Sequence, residues 1–163
     1  MNIFYLEWIN KRPSVCEFIN KIPDNYNYHC SLNIRGFKDI FTNVEIYGNI
    51  NEELEDYKFS KNLIYTKKSF LISHLQKSIR KMHSEKALKI GKHIIDLDII
   101  SLLRRLPIIM FEDVIPHESI IIIIWLLISS TKGFIFKEVM IQWLLGVIYF
   151  LANKPKHDKS GLK

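Results

Sequence analysis

From about residue 67 onward, apolar positions recur every three or four residues, which is the period of an amphipathic helix. In the run KKSFLISHLQKSIRKM the side chains of Phe70, Leu71, Leu75, Ile79 and Met82 fall on one stripe, and the basic residues fall largely on the other side. The pattern therefore predicts a first helix with one buried and one polar face.

Two more helices are predicted between Ser84 and Pro116. Ser84 opens the second helix, and Asp98 opens the third because its carboxylate can accept a hydrogen bond from an unpaired backbone N–H of the first turn. Pro107 has no backbone N–H to donate, which predicts that the third helix kinks or restarts there. Pro116 is predicted to stop the run that follows.

The last two predicted helices are apolar on nearly every side. One begins at residues 117–119 and runs to about Ser130, and the other runs from about Phe134 to Ala152. Helices of this kind lie at the centre of a bundle or against a partner. Short loops between successive helices predict antiparallel neighbours.

The first 60 residues follow another pattern, in which short runs of aromatic and β-branched residues are separated by Pro, Gly and Asn. Such runs are typical of strands. They occupy residues 2–9, 28–34 and 41–48. The run at 15–22 is predicted as a short helix capped by Ser14.

These patterns predict a mainly α protein, a five-helix bundle with a small α+β segment in front of it. The predicted organisation is an α+β segment over 1–60, a helical bundle domain over 61–153 and a disordered tail over 154–163. The acidic run NEELEDYK, residues 51–58, is interpreted as an exposed link.

Composition agrees with a globular chain: of 163 residues 48% are hydrophobic and 25% are charged. The two cysteines, Cys16 and Cys30, lack the close spacing of metal ligands, so reduced thiols in an intracellular, cytoplasmic or nuclear protein are expected. Glu7 interrupts the first apolar run, and no secretory signal is predicted. The 28 isoleucines and the frequent Lys and Asn indicate AT-rich codons, as in some large viruses, protozoa and bacteria.

An alternative physical state is a membrane-associated protein that inserts the apolar helical hairpin at 120–152. The isoleucine run at 120–130 is shorter than the roughly 20 residues that a spanning helix needs. The run at 134–152 is long enough but contains Lys137, Glu138 and Gln142, which are costly inside a bilayer. A hairpin buried in protein is the favoured interpretation.

Charge is unevenly distributed along the chain. Residues 1–60 carry six basic and nine acidic side chains, residues 61–105 carry eleven basic and three acidic ones, and the rest is close to neutral. The net charge of +6 therefore comes from one segment, which predicts an acidic partner such as nucleic acid. The candidate nucleic-acid-binding residues are Lys77, Arg80, Lys81, Lys89, Arg104 and Arg105.

The same basic face has a plainer interpretation as a solvated surface in a lysine-rich proteome. No aromatic residues alternate with it, so stacking of single-stranded bases is not predicted. Glu112 and Asp113 end an apolar run, where charges need partners, and they are predicted to form structural ion pairs with neighbouring helices.

Signs of catalysis are weak. No phosphate-binding glycine loop, nucleophile elbow or zinc-type histidine spacing occurs, so neither a cofactor nor a metal is expected. A cluster of His117 with Glu112 and Asp113 is the remaining candidate for acid–base chemistry, and it has little support.

Residues 71–114 resemble part of a known family. The segments Lys77-Ser78-Ile79-Arg80, Ala87-Leu88, Arg104-Arg105-Leu106 and Glu112-Asp113-Val114 are similar in order and spacing to the helical C-terminal region of the MgsA, RarA and Werner-helicase-interacting group of AAA+ clamp-loader-related ATPases. The Gly-Leu-Ala that follows the acidic pair in that family is replaced by Ile115-Pro116-His117, and the ATPase module is absent.

The resemblance implies a helical oligomerisation region without ATP hydrolysis, acting in DNA replication or repair. Taken together, the sequence predicts a non-enzymatic, self-associating accessory protein that binds nucleic acid or replication proteins through its basic helical face. Membrane insertion of residues 120–152 is the alternative.

Overall fold

The computed structural model describes residues 2–10, 14–61 and 67–155. The predicted disordered tail falls almost wholly outside them. The described chain forms four strands, a short 3-10 turn at Phe37–Asp39 and four helices. These are β1 (Asn2–Glu7), β2 (Val15–Ile19), β3 (Tyr28–Arg35), β4 (Phe41–Gly48), α1 (Lys68–Arg80), α2 (Ser84–Asp113), α3 (Ser119–Thr131) and α4 (Glu138–Asn153).

The four strands form one mixed sheet in the order β2-β1-β4-β3. β1 pairs antiparallel with β2, β3 pairs antiparallel with β4, and the central strands β1 and β4 run parallel. The predicted strands at 2–9, 28–34 and 41–48 are present. The predicted helix at 15–22 is wrong: this segment is β2, because Phe18 and Cys16 pair with Phe4 and Leu6 of β1.

One face of the sheet packs on the helices. Phe4, Leu6, Val44 and Ile46 alternate along the two central strands and join the main core. The other face carries only a small apolar cluster of Ile3, Tyr5 and Tyr47. The alternation of side chains between the two faces explains why β1 from Ile3 to Leu6, and the paired half of β4 from Val44 onward, are largely buried on both faces.

Helix α2 is broken at Asp98, whose backbone angles, φ −164° and ψ 86°, are not helical. A straight helix of 30 residues would be about 45 Å long, which would carry Asp113 far from Ser84. Arg80, four residues before Ser84, nevertheless contacts Asp113 at 2.8 Å. The arm after the break (99–113) therefore folds back along the arm before it (84–97), and the helix continues through Pro107 instead of restarting there.

The predicted fold class, a mainly α five-helix bundle, is wrong. The chain is a mixed α/β protein, whose described residues form a four-stranded sheet and four helices. The aromatic and β-branched runs complete a sheet of their own, and its inner face shares one hydrophobic core with all four helices. The division into domains at residue 60 stays a prediction.

The acidic run after β4 is held against the helices. Tyr57 donates its backbone N–H to the Phe136 carbonyl at 2.8 Å, and Glu138 donates to the Glu55 carbonyl at 2.8 Å. The Tyr57 side chain is only 7% exposed. Because this pairing uses the residues before Glu138, α4 begins four residues later than the predicted start at Phe134.

The isoleucine-rich helix α3 packs under the sheet. The indole N–H of Trp125 donates to the Tyr47 carbonyl at 3.0 Å. A Cβ at Gly48 would lie 3.1 Å from the Trp125 ring, so a larger residue there would displace the ring by a few tenths of an ångström. Among the described residues, no helix has both the length and the apolar character to cross a membrane. The apolar sides of α3 and α4 are instead buried in the chain's own core.

Candidate nucleic-acid interface

A tight turn joins α1 to α2. Met82 donates its N–H to the Ile79 carbonyl at 3.0 Å, and His83 donates to the Ser78 carbonyl at 2.9 Å. Met82 adopts a left-handed conformation, with φ 59°. These bonds form a Schellman motif, which ends a helix and reverses the chain. The turn thus brings the last residues of α1 and the first residues of α2 to one end of the hairpin.

Four exposed lysines lie within about two helical turns of this connection. They are Lys77, Lys81, Lys86 and Lys89, and we call this surface the basic end. The ion pairs found within the described ranges involve none of them. Lys86 and Lys89 also line a shallow pocket with His83. Glu85 lines the same pocket, but no described carboxylate forms an ion pair with any of the four lysines, so the basic end carries an excess of positive charge.

Arg80, predicted as a phosphate contact, has its charge paired. Its Nε lies 2.8 Å from Asp113 Oδ1 and its Nη2 lies 3.1 Å from Asp113 Oδ2. The side chain of Asp113 is 5% exposed, and that of Arg80 is 56% exposed. The hydrogen bonds to Asp113 and its charge raise the pKa of Arg80. Arg80 therefore holds the end of α2 against α1.

Gln76 completes this contact. Its amide donates to Asp113 Oδ2 and to Glu112 Oε2, each at 2.7 Å. Glu112 and Asp113 thus lie at the point where the second arm of α2 meets α1. Gln76 was not singled out from the sequence, because a glutamine between apolar helix positions gives no signal of its own.

Arg104 and Arg105 lie elsewhere, on the second arm of α2. Arg104 is exposed and Arg105 is partly buried. Along the helix axis Arg104 is about 14 Å from Asp113, which lies beside the end of α1. The structure therefore groups Lys77, Lys81 and Lys89 but does not bring the two arginines into the basic end.

Other cations of the same segment are paired. Lys68 lies 2.8 Å from Asp98, and Lys92 lies 2.8 Å from Asp96. Asp96 also accepts hydrogen bonds from the Tyr57 hydroxyl at 2.6 Å and from the Ser60 N–H at 3.2 Å. Burial alone would raise the pKa of Asp96, but these hydrogen bonds and the charge of Lys92 outweigh it, and the pKa is lowered.

The candidate acid–base cluster finds other partners. Nδ1 of His117 lies 3.0 Å from Ser119 Oγ and accepts the Ser119 N–H at 3.2 Å, while its ring packs on Phe150. Asp113 is engaged by Arg80 and Gln76. Across 2–10, 14–61 and 67–155, no three His, Cys, Asp or Glu side chains gather as a metal site would require.

Comparisons with protein-family models, with curated proteins and with solved structures find no match to this chain. The resemblance of residues 71–114 to the AAA+ C-terminal region therefore stays a prediction.

Proposed function

We propose that this protein is a non-enzymatic, self-associating accessory protein of DNA replication or repair that binds nucleic acid, or the acidic face of a replication protein, through the basic end. One observation carries the proposal: four exposed lysines gather at one end of the α1–α2 hairpin and form no ion pair with a described carboxylate, whereas Lys68, Arg80 and Lys92 of the same two helices are paired.

The chemistry of this surface suits phosphates more than bases. Lysine ammonium groups neutralise phosphates and release counterions, which gives affinity that depends on salt and little on sequence. Arg104 adds a contact only for a ligand long enough to extend along the second arm of α2. Arg80 acts as a positioning residue because its guanidinium is held by Asp113.

An intracellular location is part of the proposal. Cys16 and Cys30 are free thiols on β2 and β3, which form opposite edges of the sheet. Three inter-strand spacings separate them by about 14 Å, too far for a disulfide. Burial, with a smaller contribution from the charge of Glu17, raises the pKa of Cys16, so this thiol stays protonated and unreactive.

Fluorescence anisotropy of labelled duplex and single-stranded DNA, titrated at several salt concentrations, tests the proposal. Replacing Lys81 and Lys89 with Glu is expected to weaken binding at least about tenfold, because two phosphate contacts become repulsive. The slope of log affinity against log salt should fall by roughly one for each lysine removed.

A matched control replaces two exposed lysines away from the basic end, Lys21 and Lys132, with Glu. This variant has the same net charge as the test variant and should retain most of the affinity. Absence of DNA binding by the unmodified protein at low salt would remove nucleic acid as the ligand, and equal loss of affinity in both variants would remove the basic end as its site.

A further inference from the structure

Strand β3 forms one edge of the sheet and leaves a row of backbone groups unpaired. At the hairpin turn the Gly36 N–H donates to the Ile40 carbonyl at 2.7 Å, so even-numbered residues of β3 direct their backbone groups toward β4. The odd-numbered residues must then direct theirs outward. These residues are His29, Ser31, Asn33 and Arg35. No backbone hydrogen bond joins them to any other part of the described chain.

This edge lacks the features that normally block strand pairing. β3 has eight residues, contains no proline, and carries one charged side chain, Arg35. The opposite edge strand β2 is shorter, with five residues, and packs against α3. A long strand with free N–H and C=O groups is a template for another strand.

The turn that connects β3 to β4 forms an exposed apolar tip. β3 and β4 extend past Asn2, the first residue of β1, which pairs with Val44. Phe37 at the tip is 88% exposed. The other exposed apolar residues of the tip are Ile34, Ile40 and Phe41.

The tip is held in shape by contacts among its own residues. Lys38 and Asp39 both have φ 59°, a left-handed conformation that costs a residue with a Cβ roughly 1–2 kcal/mol. Arg35 Nε donates to Asp39 Oδ1 at 2.8 Å across this turn. Strained backbone conformations of this kind cluster at binding sites and other functional sites.

The other end of the same edge offers a complementary feature. A pocket of about 230 Å³ lies beside the first residues of β3. Asn27, Tyr28, Gly133, Phe134, Ile135 and Lys137 line it. Ile135 is itself exposed, so this pocket has an apolar rim.

We propose that two copies of this chain pair through β3, antiparallel and related by a two-fold axis at Leu32. In this register His29 faces Arg35 of the second copy and Ser31 faces Asn33, so all four outward residues find partners. Asn27 lies five residues before Leu32 and Phe37 lies five residues after it. The two-fold axis therefore places Phe37 of each apolar tip beside Asn27 at the pocket of the other copy. An interface that is complementary to itself in this way is what a two-fold dimer requires.

The interface deepens the self-association in the proposed function and rests on it. Binding of nucleic acid does not depend on it, because the basic end lies on α1 and α2. The paired sheets would form one continuous sheet of eight strands, with the basic end of each copy left uncovered.

Sedimentation velocity of the full chain, over protein concentrations from about 1 to about 100 μM, tests this dimer. Ser31→Pro should dissociate it, because proline removes an outward N–H and leaves the hydrogen bonds to β4 intact. Phe37→Ser should weaken it at least tenfold. Phe111→Ser is the matched control, since Phe111 is also exposed, at 67%, but lies on α2.

The expected result is a dimer for the unmodified chain and for Phe111→Ser, a monomer for Ser31→Pro, and a dimer that forms only at concentrations at least tenfold higher for Phe37→Ser. If circular dichroism shows that Ser31→Pro does not fold, the dimerisation of Phe37→Ser tests the interface by itself. A monomeric unmodified chain, a dimer unaffected by Phe37→Ser, or equal dissociation by Phe111→Ser would overturn the interface. DNA binding measured on Phe37→Ser separates the two proposals, because a monomer that still binds DNA leaves the basic end in place.

Discussion

At the scale of single residues, Asp113 is the side chain that holds the end of α2 against the end of α1. It is nearly buried, and it accepts hydrogen bonds from both Arg80 and Gln76. A buried carboxylate is stable only when its charge is matched and its oxygens are hydrogen-bonded. Glu112 beside it is exposed and accepts one hydrogen bond from Gln76.

Asp113→Ala is therefore expected to lower the free energy of unfolding by about 2 kcal/mol, because it leaves the Gln76 amide without its buried acceptor and Arg80 without its carboxylate. Glu112→Ala should cost less than about 1 kcal/mol, as is usual for an exposed polar contact. Urea denaturation of the two variants measures the difference. Equal losses of unfolding free energy in the two variants would show that Asp113 does not hold the end of α2 against α1.

At the scale of elements, Asp98 converts one long helical run into two antiparallel arms. Its Oδ1 accepts the Ser101 N–H at 3.2 Å, and its Oδ2 accepts the Ser101 hydroxyl at 2.7 Å. This is an N-cap, which satisfies a backbone donor at the start of the second arm. Lys68 adds an ion pair to the same carboxylate.

Asp98→Ala should destabilise the protein by about 1–2 kcal/mol, because the cap is lost and alanine favours a continuous helix. Asp98→Asn keeps a side-chain oxygen for the cap and loses only the charge, so it should cost less than about 0.5 kcal/mol. Thermal unfolding followed by circular dichroism compares the two. Unchanged stability in Asp98→Ala would mean that tertiary packing alone makes the break.

At the scale of the whole molecule, the segment after the sheet is fastened to the helices through Asp96. Tyr57 and Ser60 bind this carboxylate from the linker, and Lys92 binds it from its own helix. The ammonium of Lys92 also lies 4.9 Å from the centre of the Tyr57 ring. Asp96 therefore adds a polar link between the linker and α2 to the hydrophobic core that the sheet and the helices share.

Stability should consequently fall in acid. The pKa values of Asp96 and Asp98 are lowered from their ordinary 3.8, so the folded chain binds fewer protons than the unfolded chain. Their contribution is fully present above pH 3.8 and is lost as the pH falls below it. Urea denaturation at pH values below 3.8 should show a falling free energy of unfolding. Asp96→Asn should reduce the slope of the free energy of unfolding against pH. A slope equal to that of the unmodified chain would contradict the assignment to Asp96.

Local sequence patterns determined most of the helical and extended segments, with 15–22 as an exception. Three strands and α1 are close to their predicted bounds, and Asp98 was predicted to open a helix. These features depend on neighbours within a few residues, through side-chain periodicity and capping. The basic end follows for the same reason, because its lysines lie within thirteen residues of one another.

Tertiary structure alone decided that residues 15–19 form a strand, which polar side chains pair over long distances, and how the strands are ordered in the sheet. The segment 15–22 has a helical cap signal, but pairing with β1 makes it a strand. Asp113 binds Arg80 across 33 residues, and Tyr57 binds Asp96 across 39. The mixed sheet joins β1 to β4 across the whole N-terminal segment. Such contacts depend on which surfaces meet when the chain buries its apolar side chains, and no short stretch of sequence contains that information.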